Sequence, residues 1–235
     1  MDLSIIIPAY NEEKRLAGTL DRITKFMETR GSEYEVIVVD DGSTDTTIDV
    51  AARSALGVSG RLRVISNPGN KGKGYSVKRG VEEARGDIIL FTDADMSTPI
   101  EEMDKLISAM GAGAHIAIGS RAVDGSQVEV KQPFFRQTMG KVFNRIVRFI
   151  LGENIHDTQC GFKAFGKTEA KELFRDMFIP GFAFDAELLY LARKRGLKVS
   201  EIGVVWQNSP VSKVRPVMSS LEMLRDVIKI RVFHR

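Results

Sequence analysis

The sequence predicts an α/β fold, a mostly parallel central sheet with helices on both faces in a single domain, and three observations lead there. Short β-branched runs alternate with helix-period segments through the first half of the chain. The ends of those runs carry Asp, Asn and Gly, the residues of strand-to-helix turns. The composition is 43% hydrophobic and 28% charged, with 21 Gly and 7 Pro in 235 residues, which excludes disordered, collagen-like and low-complexity classes. That length suits one large domain or a domain with an extension.

Leu3–Ile7, Glu35–Val39, Leu62–Ser66, Asp87–Phe91 and His115–Gly119 read as strands, each bounded by Gly, Asn, Pro or Asp. Between the first two, Leu16, Leu20, Ile23 and Met27 fall on one helical face. This alternation predicts parallel pairing through right-handed crossovers. After Arg121 the rhythm changes. A polar loop, Ala122–Gln132, leads to an amphipathic stretch from Phe134 to Leu151. A short strand follows at Gly161–Phe165, then helices near Lys167–Phe174 and Asp185–Lys194, and a last strand at Lys198–Trp206. A final helix runs from about Val217 to the end. The chain contains no internal repeat.

Lys and Arg exceed Asp and Glu by only three, 34 against 31, too small a surplus for wholesale nucleic-acid binding. The single cysteine, Cys160, excludes an internal disulfide and favours a reducing compartment. No apolar run reaches the roughly 18 residues of a membrane-spanning helix, and the opening LSIIIP is strand-like and lacks the form of a secretory leader. The expectation is a chain that neither spans a membrane nor is secreted.

Ligands of open α/β sheets bind beyond the carboxyl ends of the strands. Those ends read Pro8-Ala9-Tyr10-Asn11-Glu12, Asp40-Asp41-Gly42-Ser43-Thr44-Asp45, Asn67 to Gly74, and Thr92-Asp93-Ala94-Asp95. There is no G-x-G-x-x-G, since Gly72 and Gly74 are followed by Val77, and no P-loop. Clustered Asp side chains repel one another unless a cation lies between them, and hard oxygen ligands suit Mg or Mn bridging a diphosphate. Two other readings stay open. Asp93 or Asp95 caps the helix that begins at Ser97-Thr98-Pro99-Ile100-Glu101, and Asp40 and Asp41 make a turn and cap with Gly42-Ser43-Thr44.

Taken together, the four strand-end motifs resemble those of the family 2 glycosyltransferases, in order and in spacing, with Asn70-Lys71-Gly72-Lys73-Gly74 among them. The resemblance continues through Gly119-Ser120-Arg121, Asp157-Thr158-Gln159-Cys160-Gly161-Phe162-Lys163, Phe184-Asp185-Ala186-Glu187-Leu188 and Ser212-Lys213-Val214-Arg215, and these later motifs resemble the dolichyl/polyprenyl-phosphate β-glucosyltransferase branch. It implies the GT-A nucleotide-diphospho-sugar transferase fold over 1–215, with a donor half at 1–121, an acceptor half at 122–215, and a carboxyl-terminal amphipathic helix at 216–235. It also implies inverting transfer of a hexose, glucose from UDP-glucose, to a dolichyl or polyprenyl phosphate. GDP-mannose is the neighbouring alternative. The implied cofactor is a divalent metal, Mg or Mn, with Asp95 as its ligand.

By the same resemblance, Pro8, Tyr10, Glu12 and Asp41 line the base and ribose end of the donor, with Lys71 and Lys73 closing that side. Asp93 and Asp95 engage ribose and metal–diphosphate. Arg121, Arg136 and Lys163 are the cationic candidates for the acceptor phosphate, which calls for charge-assisted donors; Arg136 also reads as the solvated start of a helix. Asp157 and Asp185, with Asp95, are the catalytic candidates. A phosphate acceptor has a second pKa near 6 and is already an anionic nucleophile at neutral pH, so Asp157 and Asp185 read equally as a base or as residues that order basic side chains. Cys160, His115 and His156 read as structural.

Two competing functions have sequence support. Asp93-Ala94-Asp95-Met96-Ser97 resembles a D-x-D-x-[TS] phosphatase nucleophile, although in such phosphatases that strand comes first, and here Asp40-Asp41 precede it. A non-catalytic nucleotide-sugar-binding subunit is the other.

A polyprenyl acceptor stays in its bilayer, because each buried methylene is worth about 0.8 kcal/mol. The protein therefore has to meet a membrane surface. Met139, Val142, Phe143, Ile146, Phe149 and Ile150 share one face, with Lys141, Arg145 and Arg148 opposite, a pattern that fits an interfacial helix and a core-packed one equally. In the last helix Leu221, Leu224, Ile228 and Val232 form one stripe, and Met223, Val227 and Ile230 form another. Two apolar faces imply two contacts: the protein body, and a membrane, a partner subunit or a second copy in a homo-oligomer. Arg225, Lys229, Arg231 and Arg235 favour an anionic surface. The expected location is peripheral, on the cytoplasmic face of a membrane.

Overall fold

The structure is a computed structural model that describes residues 1–129, 144–152, 154–207 and 216–234, the last group with side chains from residue 222 onward. The central sheet contains β1 (Leu3–Ala9), β2 (Tyr34–Asp40), β3 (Leu62–Ser66), β4 (Ile88–Thr92), β5 (Ile116–Ser120), β7 (Phe162–Gly166) and β8 (Val199–Gly203), in the order β3-β2-β1-β4-β7-β5-β8. β1, β2 and β3 pair in parallel, as do β1 with β4 and β5 with β8. β2 is buried along its whole length, as a parallel strand covered on both faces must be.

The strand pleat sends successive side chains to opposite faces. Ile6, Ile37 and Val39 therefore enter one core, and Ile5, Ile7, Val36 and Val38 enter the other. On the second face lies α1 (Leu16–Glu28), where Leu16, Leu20, Ile23 and Met27 are buried as their spacing predicts, each contributing about 1.5–3 kcal/mol. α5 (Met103–Gly111) joins it there through Met103 and Leu106. On the first face lie α4 (Lys73–Glu83), α7 (Lys167–Asp176), α8 (Phe184–Lys194) and α9 (Pro216–Phe233). The short helices α2 (Thr47–Arg53) and α3 (Ala55–Val58) link β2 to β3.

Two features depart from a simple parallel reading. β7 runs antiparallel to both β4 and β5 and lies between them. Its leading segment, Asp157–Gly161, is thereby delivered to the edge where β1, β2 and β4 end. The strand expected at Lys198–Trp206 is divided at Val204: β8 stays in the main sheet, and β9 (Val205–Trp206) pairs with β6 (Gln127–Val128), which forms inside the polar loop. Gly203 permits the bend, since a Cβ there would lie 2.4 Å from the Asp124 carbonyl oxygen.

The described part of the amphipathic stretch is helical at 144–151, here α6. Val147 and Leu151 face the core, whereas Ile146 and Phe149 of the expected stripe are exposed, Phe149 to 88%. Met139, Val142 and Phe143 lie outside the described residues. In α9, Val227 and Ile230 are buried while Ile228 and Val232 are exposed, but Leu224, read from sequence with Ile228 and Val232, packs partly buried against the same core as Met223, so only the later part of that stripe points outward. Among the described residues no helix is long and apolar enough to cross a membrane.

α4 crosses β1 and β2 at Gly80, where a Cβ would fall 2.5 Å from Ile6 Cγ2 and 3.1 Å from Val39 Cγ2. A Gly80→Val variant is expected to lose about 1–3 kcal/mol of stability from overpacking, read as a lower midpoint in urea unfolding.

Candidate active site

The loops after β1 and β2 are bonded to each other, and this builds one side of the site. Asn11 N–H donates to Ser43 Oγ (2.8 Å), Thr44 N–H donates to Asn11 Oδ1 (2.8 Å), and Glu12 N–H donates to Thr47 Oγ1 (2.7 Å). Asn11 holds a left-handed conformation (φ 54°) that Asn tolerates better than most residues. Pro8 lies within the last part of β1, and Tyr10, exposed, opens this loop.

Asp40 and Asp41 divide their work. Asp40 accepts from the N–H groups of Gly42 and Ser43 and closes its own turn, as the turn reading anticipates. Asp41, buried, reaches across to the third loop: Oδ1 accepts from Asn67 Nδ2 (2.8 Å) and Lys71 N–H (2.9 Å), and Oδ2 accepts from Gly72 N–H (2.8 Å). Three donors satisfy a carboxylate that burial would otherwise penalise. The Lys71 side chain is exposed.

Lys73 opens α4 and places Nζ 2.6 Å from Asp93 Oδ1. Burial lowers its pKa, but the charges of Asp93, Asp185 and Asp95 outweigh burial and leave it raised, so it is a fixed cation. Asp93 is central. Its charge is felt by Arg15, Lys73, Arg121 and Asp185, which come from four segments of the chain. Gly161 makes room for it, since a Cβ there would lie 2.0 Å from Asp93 Oδ2.

Asp95 does two things. Oδ1 accepts from Ser97 N–H (3.1 Å) and Ser97 Oγ (2.9 Å), which closes a local turn, and Oδ2 lies 3.6 Å from Arg15 NH1. The helix-cap reading of Asp93 or Asp95 is not met, since the helical segment that follows starts at Ile100 with Pro99 at its cap position and no side-chain cap bond. Arg15 is also bidentate on Glu12, with both contacts at 2.6 Å. Sequence reasoning did not single it out, and Glu12 three residues ahead on a helix start was the available signal. Among the described residues no three His, Cys, Asp or Glu side chains gather as an ion cage. A sparse set of one or two carboxylates fits Mg, which keeps waters and takes substrate phosphates as its remaining ligands.

Opposite these lies the segment before β7. Arg121 is bidentate on Asp157, with Nε to Oδ2 at 2.7 Å and NH2 to Oδ1 at 2.8 Å, and its N–H adds a third bond at 3.0 Å. Its guanidinium lies over Trp206, 5.3 Å from the ring centroid. Glu201 holds Asp157 from behind by accepting its N–H at 2.7 Å, another contact not read from the sequence. Lys163, expected near the acceptor phosphate, is fully buried in β7, and Nζ donates to Asp185 Oδ1 and to the Cys160 carbonyl, each at 2.5 Å. Burial raises the pKa of Asp185, against the pull of Lys163 and Lys73. Burial likewise pushes the Cys160 thiol up to about 11, in keeping with a structural cysteine. Arg136 lies outside the described residues.

The carboxyl edge of a largely parallel sheet thus gathers an Asp-x-Asp pair, fixed cations and the interlaced loops after β1 and β2, the arrangement expected of the GT-A fold. Residues 4–174 match the model described as glycosyl transferase family 2, and the chain belongs to that family. It is 41% identical to a dolichyl-phosphate beta-glucosyltransferase of Drosophila melanogaster, over 99% of this chain and 75% of the relative. It is 37% identical to the Homo sapiens enzyme of that name, over 98% and 75%. The fold is similar to that of the glucosyl-3-phosphoglycerate synthase of Mycobacterium tuberculosis, solved with Mn2+, UDP-glucose and phosphoglyceric acid, with a TM-score of 0.71 and 22% identity over 99% of this chain and 79% of that one. The family match removes the phosphatase reading of Asp93-Ala94-Asp95.

Asp157 supplies a pH test. Burial pushes its pKa up, but the charge and hydrogen bonds of Arg121 reverse this and hold it below the ordinary carboxylate value near 4. The stabilisation is therefore complete above that ordinary value and lost as pH falls through the lowered one. Asp157→Asn is expected to cost about 3 kcal/mol at neutral pH, the low end for a broken buried pair because Arg121 keeps some solvent contact. The cost should shrink as the pH falls below the ordinary carboxylate value in paired urea titrations.

Proposed function

We propose that this protein transfers glucose from UDP-glucose to a dolichyl or other polyprenyl phosphate, giving a β-linked product with inversion. The observation that carries this reading is the likeness over nearly the whole chain to dolichyl-phosphate beta-glucosyltransferases of several organisms. Four carboxylate–cation contacts along one sheet edge agree with it.

In this reading residues 1–121 form the donor half and 122–215 the acceptor half. Pro8, Tyr10, Glu12 and Asp41 meet base and ribose, and Lys71 and Lys73 meet the donor from the α4 side. Asp95, with Asp93 beside it, would hold a divalent cation, Mg or Mn, which supplies positive charge for the departing diphosphate. Arg121 serves the acceptor phosphate, with Arg136 a second candidate from the sequence alone, and Lys163 contributes its charge from beneath while holding Asp185.

An acceptor phosphate oxygen forms a bond to the sugar C1 as the bond from C1 to the diphosphate breaks, and that electron pair leaves with UDP. The nucleophile is already anionic, so no proton has to move. Asp185, bonded to buried Lys163, acts as a positioning group, and no covalent glycosyl-enzyme forms.

The decisive assay incubates the protein with separately radiolabelled sugar nucleotides, a divalent metal and short polyprenyl phosphates, followed by lipid extraction. The expected result is β-linked lipid product from UDP-glucose, lost in chelator and reduced on the order of a thousandfold in Asp95→Ala. Transfer from GDP-mannose alone would reassign the sugar. An α-linked product, or full activity in chelator, would overturn the mechanism.

The acceptor requires a meeting with a membrane surface, and the exposed apolar side chains of α6 and α9 are suited to it: Phe149, Ile228, Val232 and Phe233. Arg145, Arg148, Arg225 and Arg231 share those helices. The corresponding location is peripheral, on the cytoplasmic face. Binding to vesicles is expected to rise with anionic lipid and fall with salt. Ile228→Ser with Val232→Ser should weaken vesicle binding and transfer to long-chain acceptors while sparing a short, water-soluble one. If instead an oligomer dissociates and vesicle binding is unchanged, the face is a subunit contact.

A further inference from the structure

We propose that Glu187 and His234 form a latch that positions Lys73 for the donor and couples the seating of α9 to donor affinity, an inference that rests on the transfer reading above.

Glu187 lies two residues after Asp185 on α8. At 3.6 residues per turn the two side chains point to nearly opposite sides, and only Asp185 turns toward Lys163 and Lys73. Glu187 is fully buried, and three donors satisfy it: Phe178 N–H to Oε1 (3.0 Å), Ile179 N–H to Oε2 (2.8 Å), and His234 Nε2 to Oε1 (2.7 Å). A carboxylate as acceptor pairs with the His234 tautomer that has its N–H at Nε2.

The strap between α7 and α8 thus takes two of its main-chain bonds from a side chain, where a strand would take them from a neighbour. Its other side carries the consequence. The Pro180 carbonyl accepts Tyr75 N–H at 3.1 Å. A Cβ on Gly72 would lie 2.5 Å from that same oxygen, and a Cβ on Gly74 would lie 2.7 Å from the Ile179 oxygen. The strap therefore sits without slack between Glu187 and the Gly72-Lys73-Gly74 turn. Lys73 is the residue between those glycines, and its Nζ reaches Asp93 at 2.6 Å. A strap that shifts carries Lys73 with it.

His234 comes from just beyond α9. Its ring packs on Phe178 at 5.0 Å between centroids, its N–H donates to the Ile230 carbonyl at 3.1 Å, and its carbonyl accepts from Lys194 Nζ. Buried Val227 and Ile230 hold the helix against the same core. What seats or lifts α9, the helix whose outer face carries Ile228 and Val232, therefore reaches the donor side through one carboxylate. Glu187 and His234 are positioning residues; neither is among the groups assigned to substrate.

The test compares wild type, His234→Ala, His234→Gln and Glu187→Gln by UDP-glucose titration calorimetry with Mg or Mn, steady-state transfer, and amide hydrogen exchange. His234→Ala is expected to raise Kd and KM for UDP-glucose roughly tenfold, the order for one lost charge-assisted hydrogen bond, with kcat within about twofold. The amides of Phe178, Ile179 and Tyr75 should exchange faster. His234→Gln should restore both, because its amide N–H can donate to the same oxygen. Unchanged donor affinity in His234→Ala, or faster exchange confined to α9, would overturn the latch. If Glu187→Gln does not fold, the His234 variants, which alter only the end of the last helix, still decide it. Wild-type protein that binds no nucleotide sugar would overturn the transfer reading, and exchange at Tyr75, Phe178 and Ile179 would then decide the latch alone.

Discussion

Carboxylates withdrawn from water at the carboxyl edge of the sheet have to be satisfied in place, and the arrangement of the surrounding loops follows from that requirement. Asp41 takes three N–H donors from the loop after β3, Asp157 takes Arg121 in a fork, and Asp185 takes Lys163 from inside the sheet. Each partner arrives from a distant part of the chain, so satisfying the charge also brings the segments together. Removing one member of such a pair leaves an uncompensated charge, which costs far more than the intact pair contributes. The same pairs fix cations in partly buried positions, where their charge is screened less than it would be in water.

Main-chain contact does the remaining positioning. Gly42 has φ +75° and lies so close to Gly69 that a Cβ would fall 2.5 Å from its Cα, which brings the second and third loops together. Gly161 does the same for Asp93. At these two positions the absence of a side chain brings a functional group or loop within reach that any Cβ would displace.

The antiparallel entry of β7 has the largest functional effect of any topological feature. A further parallel strand would deliver its carboxyl end to the site edge. β7 delivers its leading segment instead, and with it Asp157, Gly161 and, from within the strand, Lys163. The segments on either side of the site therefore belong to one sheet.

Much of this was legible in the residues. β-Branched runs at Leu3–Ile7 and Glu35–Val39 fall in β1 and β2 because burial on both faces leaves little choice of composition. The i, i+4, i+7, i+11 spacing of Leu16 to Met27 found its buried face because helical period alone sets it. The strand-end motifs located the Asp-rich loops for the same local reason. Pairing partners were another matter. The opposed direction of β7, the split of Lys198–Trp206 into two sheets, the burial of Lys163, the fork of Arg121 on Asp157 and the reach of His234 to Glu187 all join residues far apart in the chain. Sequence by itself determined most of the longer strands and helices and which ends carry charge, since periodicity and residue chemistry act locally. Only the tertiary structure decided which charge meets which, because that depends on strand order and direction, and a one-dimensional pattern does not encode them.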